Sequence, residues 1–277
     1  MGKSTLINEL IGEEKVVVSE TPHTTRDSIR ARLEYKSRKI ELIDTAGLNT
    51  PNIAENDEEY LRKVQISTMA HVQESHVVVY VMDAFSAMVL DDFALIRSVL
   101  KEGRPVIIAV NKWEAIKEEF RYKAKNFLVK QIEKQLGELH GNPLVYVSAK
   151  MGMGLSELLD RVFGCYDKWN TRISTGMLND WLENFKKLQD LPKQREHSLK
   201  INYMIQARVR PPHFIIFLNA RDLFESHYER FLLRNLANEF KMDGVPLRLT
   251  LRSTNNKENK RAKRTTRKQS EMSEKME

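Results

Sequence analysis

Three short runs rich in β-branched residues constrain the fold of this chain more than any other feature: Val77–Met82, Pro105–Val110 and Pro143–Val147. Apolar runs of this length, without polar alternation, fit parallel strands buried on both faces. Helical patterns over Asp91–Lys101 and Lys117–Leu139 separate them, and a further one, Ser156–Asn170, follows the last. Strands alternating with helices predict an α/β sheet with right-handed crossovers. Upstream, Thr5–Leu10 predicts a helix, and Ser28–Tyr35 and Lys39–Ile43 predict two strands joined by a polar turn. Ligands of such sheets bind beyond the carboxyl ends of the strands, so the loops after these runs are where chemistry is expected.

The pattern changes near Thr171. A helical spacing of Met177, Leu178, Trp181, Leu182, Phe185 and Leu188 precedes a polar stretch from Gln189 to Glu196. Strands are then predicted over Leu199–Arg208 and His213–Asn219, split by the rigid turn Arg210-Pro211-Pro212, followed by a helix over Glu225–Phe240 and a strand over Pro246–Arg252. Helix, two strands, helix, strand make a second, α+β domain. From Ser253 apolar residues vanish, and Lys260–Arg264 opens a basic tail expected to be disordered. The expected division is 1–171, 172–252 and 253–277.

Composition agrees with two domains, since 277 residues with 41% hydrophobic content can bury a substantial core. A net charge of +7 and a pI near 9.3 suggest a polyanionic partner, although a solvated charged surface accounts for them too. The single cysteine, Cys165, excludes an internal disulfide framework and a cysteine-built metal site, and fits a reducing compartment. It is expected in packing or at the surface. No apolar run has the length of a membrane span, and residues 1–20 lack the apolar core of a signal peptide, so a soluble chain is expected.

Four short segments fall on the loops where chemistry is expected. Gly2-Lys3-Ser4-Thr5 opens the first helix in the manner of a phosphate-binding loop, with the Lys ammonium against β and γ phosphates and the Ser hydroxyl on Mg²⁺. Helix N-terminal amides add to anion binding there. Asp44-Thr45-Ala46-Gly47 ends the strand Lys39–Ile43, where a carboxylate can organise Mg²⁺ through water and a Gly amide can meet a γ phosphate. Asn111-Lys112-Trp113-Glu114 and Ser148-Ala149-Lys150 follow the second and third apolar runs. There an Asn amide can bond a base, a Lys stem can cover its face, and a carboxylate can accept from the two donors that distinguish guanine. Each segment alone is weak evidence; their order and placement give the reading its force.

This arrangement resembles the translation-factor-like GTPases, and more narrowly the Der (EngA) family. Thr21-Pro22-His23-Thr24-Thr25-Arg26-Asp27-Ser28 resembles that family's switch I, and Asp44-Thr45-Ala46-Gly47-Leu48 its following motif. Arg172-Ile173-Ser174-Thr175, Gln206–Pro212 and Gly244–Leu249 resemble its C-terminal KH-like domain. The resemblance implies a P-loop GTPase domain followed by a KH-like domain, binding GTP or GDP with Mg²⁺ and K⁺ and acting, as a monomer, in maturation of the large ribosomal subunit through rRNA and ribosomal proteins. Position by position, Gly2, Lys3, Ser4 and Thr5 would hold phosphates. Ser4 and Thr25 would ligate Mg²⁺, with Asp44 organising it. Gly47 would sense the γ phosphate, and Asn111, Lys112, Glu114, Ser148, Ala149 and Lys150 would hold guanine. Loss of the Thr25 and Gly47 contacts on hydrolysis is the expected switch.

The chain departs from the family pattern in places. Family members carry two GTPase domains, and this chain is expected to correspond to the second plus the KH-like domain. The start of the phosphate loop, the central first strand and the Asn that holds K⁺ in related enzymes are not in this sequence. Glu114 replaces an Asp, setting the carboxylate one methylene further out, and His23 replaces a Gly, removing freedom for a positive φ. Leu48 stands where Ras-like enzymes orient water with a Gln, and an aliphatic side chain has no group to do so. No catalytic residue is therefore assigned, and hydrolysis is expected to be poorer than nucleotide binding.

No GXXG loop occurs between Thr171 and Arg252, so the KH-like backbone clamp is not expected. Arg208, Arg210, Arg248 and Arg252 supply positive charge, while Trp181, Phe185, Phe214 and Phe217 are expected in the core. The tail over 257–268 is basic enough to bind phosphate backbones in a salt-dependent way. A different class also fits the chain, a noncatalytic ribosome- or RNA-binding module with the GTPase fold as scaffold. Either reading places it in a bacterial cytoplasm or an organelle of bacterial ancestry.

Overall fold

The computed structural model describes residues 2–13, 30–43, 68–85, 93–137, 139, 141, 143–188, 193–194 and 197–253. The chain forms two compact units, residues Met1–Trp169 with Ala237–Pro246, and Asn170–Leu236 with Leu247–Glu277.

In the first unit, α1 (Lys3–Glu13) precedes the antiparallel pair β1 (Arg30–Tyr35) and β2 (Arg38–Ile43). Their two-residue turn has positive φ at both Lys36 and Ser37, the conformation that matches the twist of a hairpin. Lys36 and Arg38 then pair with Asp160 and Asp167 at 2.6 and 2.8 Å, while Tyr35 stacks on Phe163. The first ion pair holds the Asp160 carboxyl below its usual range, through the hydrogen bond from Lys36. Helix α2 (68–74) leads to β3 (Val78–Asp83), α3 (Ala94–Lys101), β4 (Val106–Asn111), α4 (Glu118–Gln135), β5 (Leu144–Tyr146) and α5 (Leu155–Trp169).

Strands β3, β4 and β5 form a parallel sheet with β4 central. All six β4 residues are buried, the five from Val106 to Val110 as their unbroken apolar run predicts, and polar Asn111 at the end with them. The helices present narrow apolar stripes at helical spacing: Ile96, Val99 and Leu100 on α3, and Ala124, Leu128 and Ile132 on α4. The apolar residues of β4 alternate between two cores. Val106, Ile108 and Val110 pack with the α3 and α4 side chains, and Ile107 and Ala109 with Leu155, Leu158 and Leu159 of α5. Cys165 of α5 is buried in the second core, and burial pushes its thiol up from its ordinary value. Its sulfur faces the carbonyl of Asp243, whose carboxylate pairs with Lys168 at 3.0 Å. A cavity of 1190 Å³ lies between the β1–β2 pair and β3, lined by Leu6, Leu33, Leu42, Val79, Leu158 and Phe163 among others.

The second unit comprises α6 (Thr175–Leu188), the short pair β6 (Lys193–Gln194) and β7 (His197–Ser198), then β8 (Ile201–Arg208), β9 (His213–Leu218), most of α7 (Ser226–Glu239) and β10 (Arg248–Ser253). Ser174 caps α6, its hydroxyl accepting from the Met177 amide. The main sheet runs β10-β9-β8, with β8 antiparallel and β10 parallel to β9. Buried Gln206 accepts from the Ile173 amide at 2.7 Å and donates to the Thr171 carbonyl at 3.1 Å, fixing the entry to α6. Asn179 of α6 exchanges two hydrogen bonds with the Met204 backbone and so occupies the outer edge of β8.

The strands predicted from sequence are all present, with ends shifted by one to two residues. The pair β6–β7 was not expected, because the stretch 189–196 carries no apolar alternation to announce a strand. Phe185 and Phe214 are buried as expected, whereas Phe217 is only half-buried and stacks on Tyr203.

His213 bonds Thr250 Oγ1 at 2.8 Å. Burial, with Arg208 and Arg248 on the flanking strands, holds its imidazole pKa below the ordinary value. Below the ordinary histidine pKa near 6.5, the unfolded chain therefore binds the proton more readily than the folded one, and stability falls. The thermal midpoint of the second unit is expected to drop between pH 7 and 5.5. The slope should flatten in His213→Gln; an unchanged slope would refute the assignment.

Candidate nucleotide site

The carboxyl ends of β3, β4 and β5 carry Asp83, Asn111 and the turn that begins at Ser148. Asp83 and Asn111 are register partners across the β3–β4 ladder. Asn111 is 2% exposed, and its Oδ1 accepts from the Ala149 amide at 3.0 Å, tying the end of β4 to the turn after β5. Ser148 is fully buried; its hydroxyl accepts from the Met151 amide, and its backbone pairs with Met153. Gly154 then stands so close to β5 that a Cβ there would lie 2.3 Å from the Tyr146 carbonyl, with φ at +76°. Only glycine closes this turn without displacing the strand.

The turn after β4 is built by packing. Lys112 adopts a left-handed conformation, φ 60°, which aims the chain into a single 3₁₀ turn over Trp113–Ala115. Trp113 is buried, its amide donates to the Val147 carbonyl at 3.1 Å, and its ring lies 4.3 Å from that of Tyr146. Glu114 is thereby fixed with Oε2 buried and without a hydrogen-bond partner among the described residues. A buried acceptor in that condition destabilises the site unless a donor reaches it, which is the chemistry that a guanine N1–H and 2-amino edge supplies. Lys112 donates to Asp83 at 2.7 Å, and this hydrogen bond raises the ammonium pKa. Asp83 was not singled out in the sequence; its place directly after an apolar strand was the available signal.

At the start of α1, Gly2 has φ +84°, and a Cβ added there would stand 2.5 Å from Asn111 Nδ2. The Gly2 backbone and the Asn111 amide are thus in close approach, which joins the start of α1 to the end of β4. The Leu6 amide donates to the Gly2 carbonyl at 3.0 Å and opens the helix, with Ser4 and Thr5 exposed at its N-terminus. Lys150 is exposed in the turn after β5. The structure therefore gathers Gly2, Asn111 and Ala149 directly, with Lys112 and Glu114 adjoining in sequence. His23, Thr25, Asp44, Gly47 and Leu48 lie outside the described residues.

Residues 1–112 match the family model for 50S ribosome-binding GTPases, and residues 172–252 match that for the C-terminal KH-domain-like region of EngA bacterial GTPase enzymes. The GTPase Der of Rhodopseudomonas palustris strain HaA2 is 35% identical over 256 residues, covering 92% of this chain and 55% of the relative. The GTPase Der of Brucella melitensis biotype 2 is 36% identical over 264 residues, covering 95% and 54%. The chain spans about half the length of these curated relatives. Among solved structures, the cytosolic domain of the T. maritima FeoB iron transporter in apo form shares 24% identity, over 69% of this chain and 71% of that one, with a TM-score of 0.40. Fold and motifs together define a P-loop GTPase domain, α/β in class, followed by a KH-like α+β domain. The chain belongs to the Der (EngA) family.

Proposed function

We propose that this chain is a guanine-nucleotide switch that acts in maturation of the large ribosomal subunit. The observation that carries the nucleotide half is the Glu114 carboxylate oxygen, buried and without a hydrogen-bond partner among the described residues, three positions along the chain from the buried Asn111 amide; together they offer acceptor and donor groups complementary to guanine. Asn111 and Ala149 meet the remaining base edge, Lys112 covers its face, and Ser148 shapes the turn that presents Ala149. Gly2, Lys3 and the amides that open α1 hold phosphates. Ser4, Thr25 and Asp44 are assigned to Mg²⁺, which when bound neutralises charge on the β and γ phosphates. Thr25 and Gly47 are the state-dependent contacts, and K⁺ is assigned as a stimulating ion. We assign functional boundaries at 1–171, 172–252 and 253–277 and a monomeric state in a bacterial cytoplasm or related organelle.

The ribosomal half rests on family membership and on the basic charge of the chain. Among the described residues, no helix is long and apolar enough to cross a membrane. Titration of labelled GTP, GDP and ATP onto the chain with Mg²⁺, with and without K⁺, tests the nucleotide reading. GTP and GDP are expected to bind at least tenfold tighter than ATP, since a site built for polar edges rejects bases that leave its groups unpaired. Equal affinities, or none, would sink it. Cosedimentation with large ribosomal subunits is expected to depend on GTP; sedimentation indifferent to nucleotide would instead favour a scaffold.

A further inference from the structure

Asp83 ends β3, and both oxygens of its carboxylate are engaged. Oδ1 accepts from the Phe85 amide at 3.0 Å, which fastens the chain as it leaves the strand. Oδ2 accepts from the Lys112 ammonium at 2.7 Å, across the β3–β4 ladder. The Ala84 amide donates to the Asn111 carbonyl at 2.9 Å, so side chain and backbone of this segment both hold the residues that open the turn after β4. The Asp83 side chain is 14% exposed and that of Lys112 53%. The acid is therefore the fixed member of the pair, and the lysine the member with room to move.

Lys112 has two reasons to move. Its φ of 60° is left-handed, a conformation that costs a non-glycine residue free energy and persists where the surroundings impose it. Its flexible four-carbon stem, if exposed and unanchored, samples many rotamers. The left-handed backbone is also what turns the chain into the 3₁₀ turn over Trp113–Ala115, which carries Glu114. One ion pair thus bears on two neighbouring elements, the Lys112 stem and the turn that follows it. An ion pair with an exposed member adds little to global stability; what this one governs is the local geometry that it joins.

We infer that Asp83 is a positioning residue of the base site: by holding the Lys112 ammonium it fixes both the lysine stem that covers the base and the turn that presents Glu114. Resting on the guanine reading above, this assignment adds the residue that orders the site before nucleotide enters. Order imposed in advance raises affinity by lowering the cost of immobilising groups at binding. Its loss is read mainly as faster dissociation.

The test measures GDP and ADP affinity and the GDP dissociation rate for the full chain with Mg²⁺, by competition against and displacement of a fluorescent guanine nucleotide. Asp83→Asn keeps the shape of the side chain and removes its charge. It is expected to weaken GDP about fivefold, the cost of ordering one long side chain at binding, and mostly through dissociation. ADP should weaken less, so the preference for GDP shrinks, because Glu114 is no longer held in place. A substitution that only loosened the fold would weaken both nucleotides alike and leave their ratio unchanged. Lys112→Met removes the ammonium and keeps an apolar stem. In that background Asp83→Asn should bring no further loss, since the two substitutions break one interaction.

Equal losses from Asp83→Asn in both backgrounds, or an unchanged GDP dissociation rate and an unchanged ratio, would overturn the assignment. GDP binding that is indifferent to Asp83 removes this assignment alone, whereas an unaltered chain that binds neither GDP nor GTP removes the guanine reading and this assignment with it. Should Asp83→Asn fail to fold by circular dichroism, brief acetylation of the unaltered chain followed by mass spectrometry decides. Lys112 is expected to react more slowly than exposed Lys150, because the hydrogen bond to Asp83 keeps its amine protonated. Equal rates at the two lysines would show that Asp83 does not hold the ammonium and refute the assignment.

Discussion

Glu114→Gln is expected to lower affinity for GTP about a hundredfold while improving affinity for xanthosine triphosphate. Losing one partner of a buried charged hydrogen bond costs about 2–5 kcal/mol, and the Gln amide can accept from guanine N1–H but opposes its 2-amino group with a second donor. Xanthine has a carbonyl at that position, so the same amide nitrogen becomes a partner. The substitution is isosteric, and Trp113 and Tyr146 hold the turn from the other side, so the unfolding midpoint should not fall. Competition of both nucleotides against a fluorescent GTP analogue reads the exchange directly. An unchanged GTP affinity would remove Glu114 from the base site.

Phe214→Ala should destabilise the second unit by about 3–5 kcal/mol, the usual range for deleting a fully buried phenyl ring. Phe214 is completely buried on the central strand of a three-stranded sheet, where neighbouring strands on both sides limit collapse into the void. Hydrogen exchange of the β9 amides gives the local measurement, and protection should fall by two to three orders of magnitude if those amides exchange through opening of the unit. Phe217→Ala on the opposite face should cost far less, because Phe217 is only half-buried and stacks on exposed Tyr203. Equal losses at the two positions would contradict the sidedness of the sheet.

Those two phenylalanines also show where the sequence was legible and where it was not. The parallel strands of the first unit announced themselves because β4 is buried on both faces and so lacks any polar interruption. The segments Asn111–Glu114 and Ser148–Lys150 were readable because each begins where such a strand ends. In β9 the run His213-Phe214-Ile215-Ile216-Phe217-Leu218 is apolar on both sides too, and periodicity alone cannot tell a core position from an open aromatic one. The difference came from register with Tyr203 and Arg252, which is tertiary information. Asp83 was missed for a related reason: its role is defined by Lys112, distant in sequence and adjacent only across the β3–β4 ladder. The Gly2 approach to Asn111 likewise needed the fold to bring residues 2 and 111 together.

Cys165 has a practical consequence. It is the only cysteine among 277 residues, buried in the core against α5's neighbours, with its thiol held in the unreactive protonated form by burial. Thiol reagents act on exposed thiolates, so the unaltered chain should give almost no labelling background under native conditions. A single cysteine introduced at exposed Lys187 or Arg230 would then be the one reactive site, and paired introductions would carry spin labels or dyes without first removing a core residue. Distances between such labels, measured with and without nucleotide or RNA, would make the chain its own ruler.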